Sequence, residues 1–224
     1  MYDREIDNRE LSFEASGALK KATLVMRDRE TDSWWSIMTS SAIGGELEGA
    51  ELVELPIAEK TTWGAWRAKH PESLVLSVDG REHEPRDGYA DYWTSERTFR
   101  DLGVDDARLP AKEPVFAFEL DGQAYAVSHR AFVDGRLFSI EPEGRRVYLH
   151  RPTDASVRAS SRAFLLPAPA EPGAGADVDA VSVWEGEAAV ERLLAAGTES
   201  LTGFDTYWYS WAAIHPDTRL LSVP

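Results

Sequence analysis

The chain of 224 residues contains no cysteine. Disulfide bonds, thiolate zinc sites, iron–sulfur clusters and cysteine nucleophiles are therefore excluded. Long apolar runs are also missing, because no stretch approaches the roughly 18 residues that a membrane-spanning helix needs. The first residues, MYDREIDNRE, lack the apolar segment of a signal peptide. We expect a cytoplasmic protein that does not insert into membranes.

Basic residues are scarce. The chain has 24 Lys and Arg against 39 Asp and Glu, which gives a formal net charge of −15. Nucleic acid is disfavoured as a partner because its phosphates would be repelled. The only lysines are Lys20, Lys21, Lys60, Lys69 and Lys112. This composition is typical of halophilic proteins, whose dense carboxylates are screened by salt, and equally of acidic proteins from GC-rich genomes.

An internal repeat is the most specific feature of the sequence. TTWGAWRAKHPESLVLSV at 61–78 recurs as TYWYSWAAIHPDTRLLSV at 206–223. Each copy predicts a short helix that ends at His-Pro and leads into a strand. In the first copy, a threonine is predicted to cap the start of the helix. A period this long favours a duplicated unit over a solenoid. The repeated residues that we interpret as structural are Trp63, Trp66, His70, Trp208, Trp211 and His215.

Alternating apolar and polar residues predict β-hairpins in both halves. The predicted strands of the first half cover 10–15, 22–26, 33–38, 42–45, 51–55 and 73–78. The predicted turns are Ser16–Gly17, Arg27–Asp32, Asp121–Gly122 and Glu143–Gly144. Further strands are predicted over 115–120, 123–127, 135–140, 146–150, 156–166 and 181–184, with a loop over 79–100, a flexible loop over 167–177 and a helix over 185–196.

These patterns predict an α+β fold, made mainly of antiparallel β-hairpins with a few short helices. The two halves are interpreted as diverged copies of one unit. The polar stretch 101–114 is the predicted boundary, so the first copy covers 1–104 and the second covers 105–224. Two such copies can also pack together as one compact domain.

Several segments, in this order, resemble one protein family. They are LVMRDRETDSWWS (24–36), GELEGAELVELP (45–56), TTWGAWRAKHPESLVLS (61–77), RDGYADYWTS (86–95), ARLPAKEPVFAFELDGQAYAV (107–127) and WAAIHPDT (211–218). The family is the bacterial and archaeal one catalogued as domain of unknown function 3179. The resemblance covers most of the chain and implies no particular activity, since the family name itself assigns none.

The departures from the family pattern concern residues that could do chemistry. Family members typically carry a Trp-His-Glu and a Cys-Pro-x-Cys element upstream of the LSFEASG segment, and this sequence has neither. YLHRPTDA (148–155) stands at the place of the cysteine element in the second half and has no cysteine. Arg27 and Ile37 replace the usual Tyr and Gln. The resemblance therefore implies either a divergent member without a metal or cofactor, or a start that lies further upstream.

Three groups of residues have both a chemical and a structural interpretation. His70 and His215 could act as bases or ligands, but a repeated helix-end residue favours packing. The acidic turn at 28–32 could hold calcium, but it lacks the glycine and glutamate of an EF-hand loop. A hairpin turn closed by Asp and Thr hydrogen bonds is favoured instead. The cluster Glu82–Glu84 could bind a metal, although a solvated loop is favoured.

Two function hypotheses follow. The first is a non-catalytic binding or structural protein, because the family's most reactive residues are absent. The second is a small-ligand-binding protein or an enzyme with a cleft between the halves, so the sequence leaves open whether the protein is an enzyme. The residues predicted to line that cleft are Arg29, Trp35, Asp87, Tyr89 and Tyr92.

Overall fold

A computed structural model describes residues 2–55, 61–76, 88–104, 106–131, 137–152, 161–165, 190, 192, 193, 195 and 197–222. The helices are α1 (Trp63–Lys69), α2 (Ala90–Thr94) and α3 (Trp208–Ile214). The strands are β1 (Glu5–Ile6), β2 (Arg9–Glu10), β3 (Phe13–Lys20), β4 (Thr23–Asp28), β5 (Trp34–Ser36), β6 (Ala42–Gly44), β7 (Pro114–Leu120), β8 (Gln123–Ser128), β9 (Leu137–Ile140), β10 (Val147–His150), β11 (Arg162–Leu165), β12 (Glu199–Leu201), β13 (Gly203–Tyr207) and β14 (Arg219–Leu220).

Three four-stranded sheets carry the fold, in the orders β3-β4-β5-β6, β13-β7-β8-β14 and β12-β11-β10-β9. Among the described strands, β14 pairs parallel with β8 and the other pairings are antiparallel. The predicted α+β fold with mainly antiparallel hairpins is therefore confirmed. None of the described helices has the length and apolar character that crossing a membrane requires.

The first sheet shows one wrong turn prediction. Ser16 and Gly17 lie inside β3, where the pairing register with β4 shifts between Ala15 and Leu19. Gly17 has a φ of +76°, which here accommodates a bulge and not a chain reversal. The chain reverses instead at Lys21 and Ala22, both of which have positive φ.

Trp35 fills the centre of the first core. It is fully buried together with Leu11, and it meets the edge of the Phe13 ring at 5.7 Å between centroids. Ile6, Ala42 and Leu52 complete this cluster. The first sheet thus packs on the chain segments that precede and follow it.

The second and third sheets pack face to face. Their shared core contains Phe116, Phe118, Leu120, Tyr125, Val127, Ile140, Val147, Leu149, Ala163 and Leu165. The opposite face of the second sheet presents mainly small side chains. It receives the indoles of Trp208 and Trp211, and the clustered residues there include Val115, Ala117, Ala124, Ala126 and Met38.

Met38 follows β5 of the first sheet, so this part of the chain contacts the second sheet through this cluster. The hydroxyl of Ser210 also donates a hydrogen bond to the carbonyl of Lys21 at 3.0 Å. Segments next to the strands of the first sheet are therefore joined to α3 and its cluster by both apolar and polar contacts.

Local signals account for the confirmed elements. The Asp121–Gly122 turn joins β7 and β8, and both residues have the positive φ that a tight hairpin turn needs. Strands β9 and β10 flank the Glu143–Gly144 turn, as predicted. The described residues of the predicted 185–196 helix, which are 190, 192, 193 and 195, are helical. Gly197 follows with a φ of +77°, as a helix-ending glycine should.

Two strand predictions of the first half are wrong over the described residues. Segment 51–55 contributes only isolated bridges, from Glu51 to Ser41 and from Glu54 to Tyr2. Residues 73–76 are not in a strand. The predicted loop over 79–100 contains α2, whose 89-to-93 and 91-to-95 backbone hydrogen bonds close helical turns. Predictions at 56–60, 77–87, 153–160 and 166–189 lie outside the described residues.

Candidate functional site

The two copies of the repeated segment adopt the same local structure. In each, the second tryptophan stacks on the histidine four residues later, and its indole N–H donates to a hydroxyl seven residues later. The stacked pairs are Trp66–His70 at 4.1 Å and Trp211–His215 at 4.0 Å between ring centroids. The accepting hydroxyls are those of Ser73 at 2.8 Å and Thr218 at 2.9 Å.

Both histidines also end their helices. The backbone N–H of His70 donates to the carbonyl of Trp66, and that of His215 donates to the carbonyl of Trp211, each at 2.8 Å. Burial lowers the pKa of His215, although the nearby carboxylate of Glu119 acts in the opposite direction. The contacts of both histidines are compatible with the structural interpretation, which stays a prediction.

The acidic turn at 28–32 is organised by the buried carboxylate of Asp28. One of its oxygens accepts hydrogen bonds from the Thr31 backbone at 2.6 Å and from the Thr31 hydroxyl at 2.8 Å. The other accepts the indole N–H of Trp35 at 2.7 Å. The predicted turn closed by Asp and Thr hydrogen bonds is confirmed. Burial favours a higher pKa for Asp28, but these hydrogen bonds outweigh it and the pKa lies below its ordinary value.

The predicted cleft residues occupy different parts of the fold. Trp35 lies in the first core, and Arg29 is exposed and pairs with Glu14 at 2.9 Å. Tyr89 immediately precedes α2 and Tyr92 lies within it, and the rings of both contact Trp93. Asp87 lies outside the described residues. None of the four described residues of this predicted cleft belongs to the lining of the pocket described next.

A pocket of about 140 Å³ lies between the end of α2 and the start of β7. Its lining combines aromatic rings with cationic and anionic side chains. The lining residues are Trp93, Thr94, Ser95, Glu96, Pro110, Lys112, Glu113, Pro114, Arg130 and Tyr207. A cavity of about 150 Å³ can hold a benzene-sized group, so this pocket has room for one ring.

Lys112 ties α2 to the pocket wall. Its ammonium donates hydrogen bonds to the carbonyls of Tyr92 and Ser95, the latter at 2.6 Å. It also lies 3.9 Å from the centroid of the Tyr92 ring and 5.4 Å from that of Tyr207. Cation–π contacts of this kind attract the ammonium to the ring faces and add to its hydrogen bonds.

Tyr92 stays protonated in this setting. Burial, the hydrogen bond with the Tyr209 hydroxyl at 3.2 Å and the neighbouring tyrosines all raise its pKa well above the ordinary value. The phenol therefore remains a neutral donor and a neutral aromatic surface at any physiological pH.

Glu113 is the buried acid of the pocket. Its carboxylate accepts a hydrogen bond from the Ser128 hydroxyl and pairs with the guanidinium of Arg130 at 3.0 Å. The Arg130 side chain is itself 80% exposed, so its remaining donors lie toward solvent at the pocket rim. Backbone carbonyls on either side of Lys112 bind the first N–H groups of α3, at Trp208 and Tyr209. Helix α3 therefore fixes the pocket wall.

A second polar group lies buried near the end of β8. His129 and Asp205 approach to 2.7 Å, and Arg151 lies 3.5 Å from the same carboxylate oxygen. The Ser161 backbone N–H donates to the other oxygen at 3.1 Å. Burial favours a higher pKa for Asp205, yet hydrogen bonds from His129 and Ser161 outweigh it and lower the pKa. Within the described ranges, no group of three or more His, Asp or Glu residues is placed to hold a metal ion.

The sequence contained a signal for only part of the pocket. A hairpin drawn outward from the Asp121–Gly122 turn puts Val115 opposite Ser128, as observed. Two positions further, the same register puts Glu113 opposite Arg130, so this ion pair was predictable. Tyr207 reaches the pocket because β13 pairs with β7, and no local pattern indicates that pairing.

No curated protein and no solved structure matches the chain. Residues 1–218 match the family described as "Protein of unknown function (DUF3179)". The match covers nearly the whole chain, as the ordered motifs predicted. The protein therefore belongs to the DUF3179 family.

Proposed function

We propose that the protein binds a small organic carboxylate, without converting it, in the pocket between α2 and β7. The observation that carries this proposal is the placement of an exposed guanidinium, that of Arg130, at the rim of a ring-sized cavity walled by Trp93 and Tyr207. A guanidinium can bind a carboxylate through two parallel hydrogen bonds. The aromatic walls offer an apolar surface for the remainder of the ligand.

Electrostatics support an anionic ligand at this place. The chain as a whole carries −15 and repels anions at long range. In the pocket, Lys112 and Arg130 offset Glu96 and Glu113. The pocket is therefore a locally neutral opening on an acidic protein, in which the Arg130 guanidinium can meet a bound carboxylate although Glu96 and Glu113 also line the pocket.

The contacts that the charged groups already make favour binding over catalysis. Glu113 is held between Ser128 and Arg130, and Lys112 is held by two carbonyls and two rings. Neither group is placed as an unoccupied base or nucleophile. The same contacts keep the pocket shape fixed before a ligand arrives, which reduces the ordering cost of binding.

Benzoate is the probe that matches this chemistry, since it joins one ring to one carboxylate. We expect a dissociation constant of about 0.1–1 mM, because the ligand is small and the guanidinium is solvent-exposed. Isothermal titration should show weaker binding of benzamide, which lacks the charge, and no binding of benzylammonium, which reverses it. Binding should weaken as salt is added.

Variants locate the site. Arg130→Gln should weaken benzoate binding about tenfold, and Arg130→Lys should retain part of it, because the charge remains but the paired hydrogen bonds do not. Arg4→Gln is the matched control, since Arg4 is an exposed arginine paired with Glu10 on another part of the surface. Equal affinity for benzoate and benzylammonium, or equal losses in the Arg130 and Arg4 variants, would contradict the proposal.

A further inference from the structure

The first copy of the repeated segment exposes side chains that the second copy buries. Trp208 and Trp211 are each 1% exposed, whereas Trp63 is 50% exposed and Trp66 is 36% exposed. The internal geometry of the two copies is the same, so the difference lies in what covers them. In the second copy the cover is the small-residue face of the second sheet.

The segment after each helix shows the same contrast. In the second copy, β14 pairs parallel with β8 through Leu220 and Ala126. In the first copy, Leu74, Val75 and Leu76 are 97%, 65% and 93% exposed and belong to no strand. Apolar residues at three successive positions are rarely left in water by a monomer.

We call these exposed apolar side chains, from α1 and from the segment that follows it, the α1 patch: Trp63, Trp66, Leu74, Val75 and Leu76. The indole N–H of Trp66 donates to the Ser73 hydroxyl at 2.8 Å, which holds the helix against the segment that follows it. An aromatic side chain presents about 150–250 Å² and a leucine somewhat less, so the exposed fractions sum to roughly 600 Å². That value is at the upper limit for the largest apolar patch of a typical monomer.

We propose that the α1 patch is a dimer interface, in which two copies of the chain meet about a two-fold axis. Patch against patch buries about 1,200 Å² in total, which reaches the lower end of specific, stable interfaces. A closed dimer requires the same surface on both copies, and a single self-complementary apolar patch meets that requirement.

The local charges agree with a second copy as the occupant. Arg67 and Lys69 lie in the last turn of α1, and Glu72 follows, so the patch is rimmed by charges of both signs. A two-fold axis that passes between these charges would bring each cation toward the acid of the other copy. The net charge of −15 on each chain still opposes association at long range, so salt strengthens the dimer by screening.

Cross-linking tests the location of the interface, because the natural chain has no cysteine. Val75→Cys places one thiol in the patch, and Val53→Cys places one elsewhere at nearly equal exposure, 65% against 64%. Under mild oxidation, the Val75→Cys protein should form a disulfide-linked dimer at least about tenfold faster than the Val53→Cys protein, since only the first thiol has a high local concentration of its partner. Equal rates would overturn the proposal.

Sedimentation equilibrium tests the dimer itself. The natural protein should be dimeric at tens of micromolar, and its dissociation constant should fall as salt is raised from low to molar concentration. The double variant Leu74→Ser, Leu76→Ser should be monomeric and retain the circular dichroism of the natural protein, because both side chains are exposed. A natural protein that is monomeric at all salt concentrations would overturn the proposal and leave the patch to a different partner. So would a dimer that the double variant retains.

Discussion

Replacing the second tryptophan of each repeat copy by alanine should have very different effects in the two copies. Trp66 and Trp211 have the same neighbours within their segments, namely a stacked histidine and a hydroxyl acceptor. Only Trp211 is buried against the second sheet. The comparison therefore separates the energy of burial from that of the local motif.

The magnitude follows from what each substitution leaves behind. Removing a buried Trp costs about 3–5 kcal/mol through lost transfer energy and cavity formation. The buried Thr218 hydroxyl also loses its indole donor, which adds about 1 kcal/mol. For Trp66, water can reach the vacated space, so we expect about 1 kcal/mol or less. The difference of about 4 kcal/mol is a large fraction of a total stability of about 5–15 kcal/mol.

Urea denaturation followed by circular dichroism gives the loss in unfolding free energy for each variant. The measurement is made at low salt and low protein concentration, where association of chains is weakest. Trp211→Phe serves as an intermediate, since it keeps most of the ring and loses the N–H donor, and it should cost about 1–2 kcal/mol. Equal losses for Trp66→Ala and Trp211→Ala would refute the reasoning. They would mean that the local stack and hydrogen bond, and not burial, carry the stability of the repeated segment.

Three further predictions concern single positions. Asp28→Asn should cost about 3 kcal/mol at neutral pH, since its hydrogen bonds to an ionised acceptor are lost. The folded pKa of Asp28 lies below its ordinary value of 3.8, so its stabilisation is present above about pH 4 and lost as pH falls through the folded pKa; the variant should show a shallower acid limb in denaturation measured against pH. Gly45→Ala should cost about 2 kcal/mol more than Gly49→Ala, because both glycines have positive φ but only at Gly45 would a Cβ come within 2.6 Å of a backbone atom, that of Ser33; similar thermal shifts would contradict this. Asp205→Asn should cost about 3–5 kcal/mol at neutral pH, because it leaves the buried guanidinium of Arg151 without its carboxylate, and an unchanged urea midpoint would exclude that role.

Features set by neighbouring residues could be predicted from the sequence. The α1 helix begins after Thr62, whose hydroxyl accepts the N–H of Ala65, and it ends before Pro71. The Asp28 turn and the Asp121–Gly122 hairpin have the same local character. In each case the deciding interaction joins residues a few positions apart, so a pattern in the sequence is sufficient.

Predictions failed where a local signal has two physical meanings. Gly17 tolerates positive φ, which serves a turn or a bulge equally well, and the structure uses it for a bulge. The observed turn at Lys21 and Ala22 has no glycine at all, although both residues have positive φ. The pairing of the strands on either side determines where this turn lies, and the local residue preference does not. Trp35 likewise follows a polar turn and looked like a ligand-lining residue, yet packing buries it completely.

The pocket could be predicted only in part because its walls come from distant segments. Glu113 and Arg130 form an ion pair just beyond the ends of one hairpin, where an extension of its register sets them opposite each other. Tyr207 joins them through the β13–β7 pairing, and Trp93 does so through α2. Nothing within either local segment indicates those approaches, since they depend on the packing of the whole second half.

The pairing of β13 and β14 with the β7–β8 hairpin has a consequence for the order of folding during synthesis. The first sheet joins residues 13–44 and can form as soon as they leave the ribosome. The hairpin at 114–128 must wait for residues 203–220 before either of its outer edges is paired. During that interval its alanine-rich face and both edges are open to other chains. Rapid translation of the last residues, or a chaperone, would therefore protect this hairpin until its edges are paired.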